Sequence, residues 1–108
     1  FAPRGPFETW LIPKKHEPAF FPPEKSFGDL ADALQTVLKK MDRILDTPPY
    51  NFIIHTSPFK NEINEYYHWH IEIMPKLIRI AGFEWGTGFY INPTPPEEAA
   101  KFMREAKI

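Results

Sequence analysis

Glu65-Tyr66-Tyr67-His68-Trp69-His70-Ile71-Glu72-Ile73-Met74, closed by Pro75, is the stretch that decides how this chain folds. Side chains on a β-strand alternate between faces with a period of two. On that reading Tyr67, Trp69, Ile71 and Ile73 share one face, and Tyr66, His68, His70, Glu72 and Met74 share the other. The first row is apolar and belongs in a core. The second sets two imidazoles and a carboxylate in line, which is unusual for a surface. The spacing therefore predicts a strand over 65–74, with a core on one side and polar chemistry on the other.

Working outward, Tyr50-Asn51-Phe52-Ile53-Ile54-His55-Thr56 is apolar on both faces and reads as a central strand. Residues 57–64 are polar and turn-like. Phe7-Glu8-Thr9-Trp10-Leu11-Ile12 is short, rich in β-formers and ended by Pro13, so a further strand is expected there. Residues 26–46 form the clearest helix. Phe27, Leu30, Leu34, Val37, Leu38, Met41, Ile44 and Leu45 fall at gaps of three and four that gather them on one face. Ser26 is placed to cap it, with Asp29 three residues on, and Pro48-Pro49 stops it. A bend or short strand is expected over 77–85. Gly82, Gly86 and Gly88 loosen the chain around and beyond it, and a last strand is expected over 89–92. Pro95 or Pro96 then opens a helix over 97–106, with Glu97 and Glu98 at its positive end. The order β-α-β-β-β-α with short connections reads as α+β built on an antiparallel sheet.

Composition excludes several classes. The chain has 108 residues, enough for one core but not two. A net charge of −1 lacks the basic excess that nucleic-acid or anionic-membrane binding needs. No apolar run approaches the roughly 20 residues that cross a bilayer. With no Cys, a disulfide framework, thiolate catalysis and Cys-ligated zinc are all excluded, and a cytoplasmic setting is expected. The chain opens on Phe1 rather than Met, so it is expected to belong to something longer.

His68 and His70, two apart on a strand, would have Cα atoms about 6–7 Å apart and side chains on one side. That suits shared metal ligation, and His55 on another strand could join them; zinc or iron takes imidazole better than magnesium or calcium does. The same pair could instead serve as catalytic or phosphate-binding imidazoles, or be polar residues on a solvated face. Glu72 continues the row as a further ligand, as an acceptor that fixes a His tautomer, or as a plain exposed Glu. Gly86-Thr87-Gly88 with Asn92 could turn backbone N–H groups toward a phosphate or sugar, or form a simple tight turn. Lys14-Lys15-His16 could meet an anionic ligand, though the usual fate of such a run is a solvated loop.

Several motifs in order are familiar. Pro6-Phe7-Glu8-Thr9-Trp10, Pro13-Lys14-Lys15-His16, Pro49-Tyr50-Asn51-Phe52-Ile53-Ile54-His55, His68-Trp69-His70 and Gly86-Thr87-Gly88-Phe89-Tyr90-Ile91-Asn92-Pro93 together resemble the C-terminal half of the galactose-1-phosphate uridylyltransferases, of the histidine-triad superfamily. The resemblance covers nearly the whole chain. It implies a single histidine-triad-like domain over 1–108, with an antiparallel sheet, one long helix and a C-terminal helix. It implies an enzyme of galactose metabolism that moves UMP between UDP-glucose and galactose 1-phosphate. The partners it implies are an N-terminal domain of the same enzyme, UDP-sugar, hexose 1-phosphate and a second copy in a homodimer. It implies a structural zinc or iron on His55, His68 and His70, with a fourth ligand, a Glu, from the N-terminal half. The covalent His nucleophile would also lie in that half, so no catalytic residue falls here. Gly86, Thr87, Gly88, Phe89 and Asn92 match the loop that helps bind the hexose phosphate. Some members carry a Glu directly after an aromatic in that loop and a Gln further on; here Tyr90 follows Phe89 and no Gln matches. The alternatives are a free-standing histidine-triad hydrolase or transferase with His70 as nucleophile, and a non-catalytic domain of the same fold.

Overall fold

The long helix forms where its apolar spacing puts it. The computed structural model describes residues 3–58 and 65–108, and in it α1 spans Phe27–Leu45. Leu30, Leu34, Val37, Leu38 and Leu45 on α1 pack against the buried cluster to which α1 contributes Met41, 1% exposed. Ser26 makes no side-chain capping bond. A 3-10 turn over Glu24–Ser26 runs straight into the helix, and the Ser26 N–H bonds the Pro23 carbonyl at 2.8 Å. At the other end Asp46 and Thr47 both adopt positive φ, 56° and 55°. The Thr47 N–H turns back to the Asp42 carbonyl at 3.0 Å before Pro48 leads out.

Three strands form one antiparallel sheet: β1 over Thr9–Leu11, β2 over Tyr50–His55 and β3 over His70–Pro75, in the order β1-β3-β2. With the helices this makes the α+β class that the element order implied. Thr9 lies opposite Ile73 and Leu11 opposite Ile71 on one side of β3. Ile53 lies opposite Glu72 and His55 opposite His70 on the other. The alternation in β3 is as read. Trp69, Ile71 and Ile73 are 5%, 3% and 0% exposed and form the core with Met41. Burying one Ile fully contributes about 1.5–3 kcal/mol, so β3 anchors the sheet.

Three expectations need correction. β2 is an edge strand, not the central one: its Phe52, Ile53 and Ile54 stay 43–49% exposed. β3 begins at His70 rather than Glu65, because Trp69 is drawn out of the ladder by Glu17. The Trp69 N–H meets the Glu17 carbonyl at 2.9 Å and its indole N–H meets the Glu17 carboxylate at 3.0 Å. No strand forms over 89–92; instead α2 occupies Gly82–Thr87 and Gly88, at φ 74°, ends it. A left-handed residue at a helix end is a role glycine fills without strain. The turn expected over 57–64 lies, past residue 58, outside the described residues.

α3 runs over Pro96–Glu105 with Pro96 in its first turn. Its negative end receives the Lys40 ammonium, which donates to the Met103 carbonyl at 2.9 Å and joins α3 to α1. An open cleft of about 1060 Å³ lies among β1, α1 and α3, with Trp10, Val37, Ala99 and Met103 in its walls. Among the described residues no helix is long and apolar enough to cross a membrane.

Candidate metal centre

The polar face of the sheet builds the site. His70 and Glu72 project from β3 on the side away from the core, and the register sets His55 of β2 directly opposite His70. One nitrogen from each imidazole and one Glu72 oxygen lie within 4.8 Å of one another. The Glu72 Oε1 atom is 3.2 Å from His70 Nε2 and 3.5 Å from His55 Nε2. Glu72 is 5% exposed, a depth at which a carboxylate needs partners.

The hydrogen-bond roles make this trio unusual. His70 Nδ1 sits 3.2 Å from the His68 carbonyl oxygen, which can only accept, so Nδ1 is the nitrogen that carries hydrogen. In a neutral ring Nε2 then presents a lone pair to a carboxylate oxygen, acceptor against acceptor. His55 Nε2 is buried and has no hydrogen-bond partner. A metal ion among these atoms would meet the Glu72 carboxylate and both ring nitrogens at once.

The residues fit a metal. Zinc bonds of about 2.0–2.1 Å in a tetrahedron imply ligand separations near 3.3 Å. The two Glu72 separations, 3.2 and 3.5 Å, straddle that value. A metal-bound imidazole also commonly donates its second N–H to a backbone carbonyl, as His70 does here. Two nitrogens and one oxygen suit zinc or iron.

The N-terminal segment wraps this trio. Trp10, opposite Glu72 in β1, stacks on His70 with centroids 4.4 Å apart, and His70 in turn stacks on His55 at 4.8 Å. The Arg4 guanidinium donates to Glu72 Oε2 at 2.7 Å, leaving Oε1 to face the imidazoles. Glu8 receives the Arg4 backbone N–H at 2.8 Å and the Trp10 indole N–H at 3.0 Å. Partial burial opposes charge on both Arg4 and Glu8. It is outweighed: the Glu8 and Glu72 carboxylates hold the Arg4 pKa up, and bonds from Trp10 and Arg4 hold that of Glu8 down.

His68, expected beside His55 and His70, stands apart from them. Its ring is exposed, and its Nε2 meets His16 Nδ1 at 3.1 Å, with the rings edge to face. Because β3 starts at His70, strand alternation does not govern the direction of His68; what it offers the site is its carbonyl. Of the residues matched to a sugar-phosphate loop, Gly86 and Thr87 end α2. The Gly88 N–H bonds Glu84 at 2.9 Å and the Phe89 N–H bonds the Thr87 hydroxyl at 3.2 Å. The Asn92 side-chain oxygen accepts the Thr94 N–H at 3.0 Å. These residues lie on a surface rich in exposed aromatics, with Trp85, Phe89 and Tyr90 79%, 68% and 63% accessible. Sequence reasoning gave Arg4 no role, and Glu8 and Trp10 entered it only as part of the motif over 6–10 and the first strand.

Comparison with known proteins bears on this arrangement. No protein-family model matches the chain. The ADP-glucose phosphorylase of Arabidopsis thaliana is 45% identical over the whole chain, which covers 32% of that protein. The galactose-1-phosphate uridylyltransferase of Thermotoga maritima is 34% identical, again over the whole chain and 37% of the relative. The chain fits a C-terminal domain of the galactose-1-phosphate uridylyltransferase family. The crystal structure of the Arabidopsis phosphorylase with bound ADP-glucose superposes on all of this uridylyltransferase-like domain with a TM-score of 0.96 at 44% identity, using 36% of that chain. A uridylyltransferase structure matches 98% of it at a TM-score of 0.86 and 30% identity, over 36% of its own chain. The domain thus spans about a third of the length of the curated relatives it matches.

Proposed function

We propose that this chain is the metal-bearing domain of a sugar-nucleotide transferase that moves UMP between UDP-glucose and galactose 1-phosphate. The observation that carries the metal is the convergence of His55 Nε2, His70 Nε2 and Glu72 Oε1, with His55 Nε2 buried and without a hydrogen-bond partner. His55, His70 and Glu72 hold zinc or iron, and His68 supports His70 through its carbonyl. A fourth ligand and the nucleophilic His come from an N-terminal domain of the same protein. The metal locks β2 to β3 and fixes the sheet edge against that domain. His70 is poorly suited to act as nucleophile. Its Nε2 faces a carboxylate, and its ring is held between Trp10 and His55.

The chain's own residues supply position rather than phosphorus chemistry. Gly86, Thr87, Gly88, Phe89 and Asn92 form the part of the hexose-phosphate site that this domain contributes. The exposed apolar edge of β2 supports packing by the N-terminal domain, and the exposed aromatics of 85–90 support a homodimer that completes the site.

A second reading is favoured by one observation: identity to the relative named ADP-glucose phosphorylase, 45%, exceeds that to the Thermotoga maritima uridylyltransferase, 34%. On that reading the nucleotide is ADP-glucose and the acceptor is inorganic phosphate. Assay of the full natural protein separates the two. UDP-glucose with galactose 1-phosphate should yield UDP-galactose; turnover of ADP-glucose with phosphate, and none of the former, would assign the second. Elemental analysis of the same sample should show about one zinc or iron per chain at this centre. Metal content unchanged by His70→Ala would remove the metal from these residues.

A further inference from the structure

The geometry points to Arg4 as a positioning residue that ties the loop carrying Tyr90 to the metal ligand Glu72, so that the state of the metal centre is transmitted to the sugar-phosphate loop. This rests on the metal and loop assignments just proposed and adds the link between them.

Arg4 touches both sides. One terminal nitrogen lies 2.7 Å from Glu72 Oε2 and 3.5 Å from Glu8 Oε1. Its guanidinium carbon lies 5.8 Å from the centre of the Tyr90 ring, the range of a cation–π contact. Tyr90 comes after Gly88 and Phe89 in a stretch without regular structure, and it is 63% exposed. A segment of this kind needs an anchor to hold one conformation. The anchor itself is prepared. Phe7 adopts φ 62°, uncommon for a bulky residue, and the turn it makes brings Glu8 back to accept the Arg4 backbone N–H at 2.8 Å. Arg4 is thereby held at both its backbone and its side chain.

The coupling has a physical cause. With no metal present, the Arg4 bond to Oε2 is the charged contact that holds the Glu72 carboxylate. A divalent ion on Oε1 draws the carboxylate toward His55 and His70 and fixes its rotamer, and Oε2 then presents Arg4 with a single geometry. The guanidinium is planar and one of its terminal nitrogens is bonded to Glu72 Oε2, so a shift of the carboxylate moves the plane that lies over Tyr90. Lysine offers a point charge on a flexible stem and transmits less.

Limited chymotrypsin digestion of the full natural protein tests this, with cleavage after Phe89 or Tyr90 read by mass spectrometry, with zinc and after chelation. In the wild type, zinc should slow cleavage at these sites severalfold. Arg4→Ala should be cut fast in both conditions while keeping its circular dichroism. Arg4→Lys should fall between, and Glu72→Gln should resemble Arg4→Ala. Arg4→Ala cleaved at the wild-type rate, with the zinc effect intact, would overturn the proposal. A wild type that takes up no metal, yet whose loop is exposed by Arg4→Ala, would overturn the metal assignment alone and uphold the tie between Arg4 and the loop.

Discussion

At the scale of single residues, the polar face of β3 is set by which atoms have hydrogens to give. The His68 carbonyl faces His70 Nδ1, and in the proposed metal centre that leaves Nε2 as the ligand atom. His70→Ala and His68→Ala should therefore differ sharply. The first should abolish metal retention, measured by elemental analysis after dialysis, whereas the second should keep most of the metal, because only its carbonyl is used. Loss of a supporting contact lowers metal affinity about 10–100-fold, and loss of a ligand lowers it further. Glu8 carries a separate expectation. Bonds from Trp10 and Arg4 hold its folded-state pKa below the unfolded value, so its contribution to stability is fully present above about pH 4.3 and is lost as pH falls through the depressed value. Glu8→Gln should flatten that part of the curve of stability against pH, measured by urea melts between pH 3 and pH 6 (roughly the carboxylate range).

At the scale of elements, legibility tracked sequence distance. α1 was readable nearly to the residue, because a 3.6-residue period and a pair of prolines are local signals. The buried face of β3 was readable from alternation alone, and Trp69, Ile71 and Ile73 lie in the core. The start of β3 was not, since Glu17, 52 positions away, decides it. Nor could the partnership of Arg4 with Glu72, 68 positions apart, be read from any local pattern. β2 looked central because both of its faces are apolar, but apolarity reports burial in the whole protein and does not say which neighbour buries it. The C-terminal stretch was misread because helix α2 is only six residues long and carries two glycines. Ile73→Ala, at a fully buried position in the central strand, should cost about 2–5 kcal/mol in a urea melt. An Ala→Gly change at the exposed Ala33 of α1 should cost about 1 kcal/mol, which separates packing from propensity.

At the scale of the whole molecule, the sheet is thin and one-sided. α1 covers the core face of β3, while β2 leaves Tyr50, Phe52 and Ile54 uncovered on that face and Ile53 on the other. An edge strand of this kind is a liability unless something lies against it. With an N-terminal domain packed there, Phe52→Lys should destabilise the full natural protein by about 2 kcal/mol through lost burial. In the 108-residue chain alone, where Phe52 is already 49% exposed, it should cost little. Paired urea melts of the two proteins read the difference. Within the described residues the proposed trio of His55, His70 and Glu72 supplies three donors, one short of a tetrahedral zinc site.

The placement of β3 at the centre of the sheet has a consequence for how this protein tolerates change. Ile71 and Ile73 hold the core, His70 and Glu72 face the proposed metal centre, and the two roles interleave residue by residue along one strand. Drift along 70–73 has no silent side: an inward change disturbs folding and, in the proposed centre, an outward change disturbs loading. The length of the strand is pinned as well, since inserting or deleting one residue would exchange the two rows wholesale. A saturation library scored for soluble, metal-loaded protein should show a continuous intolerant band there, beside a β2 in which intolerance is confined to His55 and the packed apolar positions.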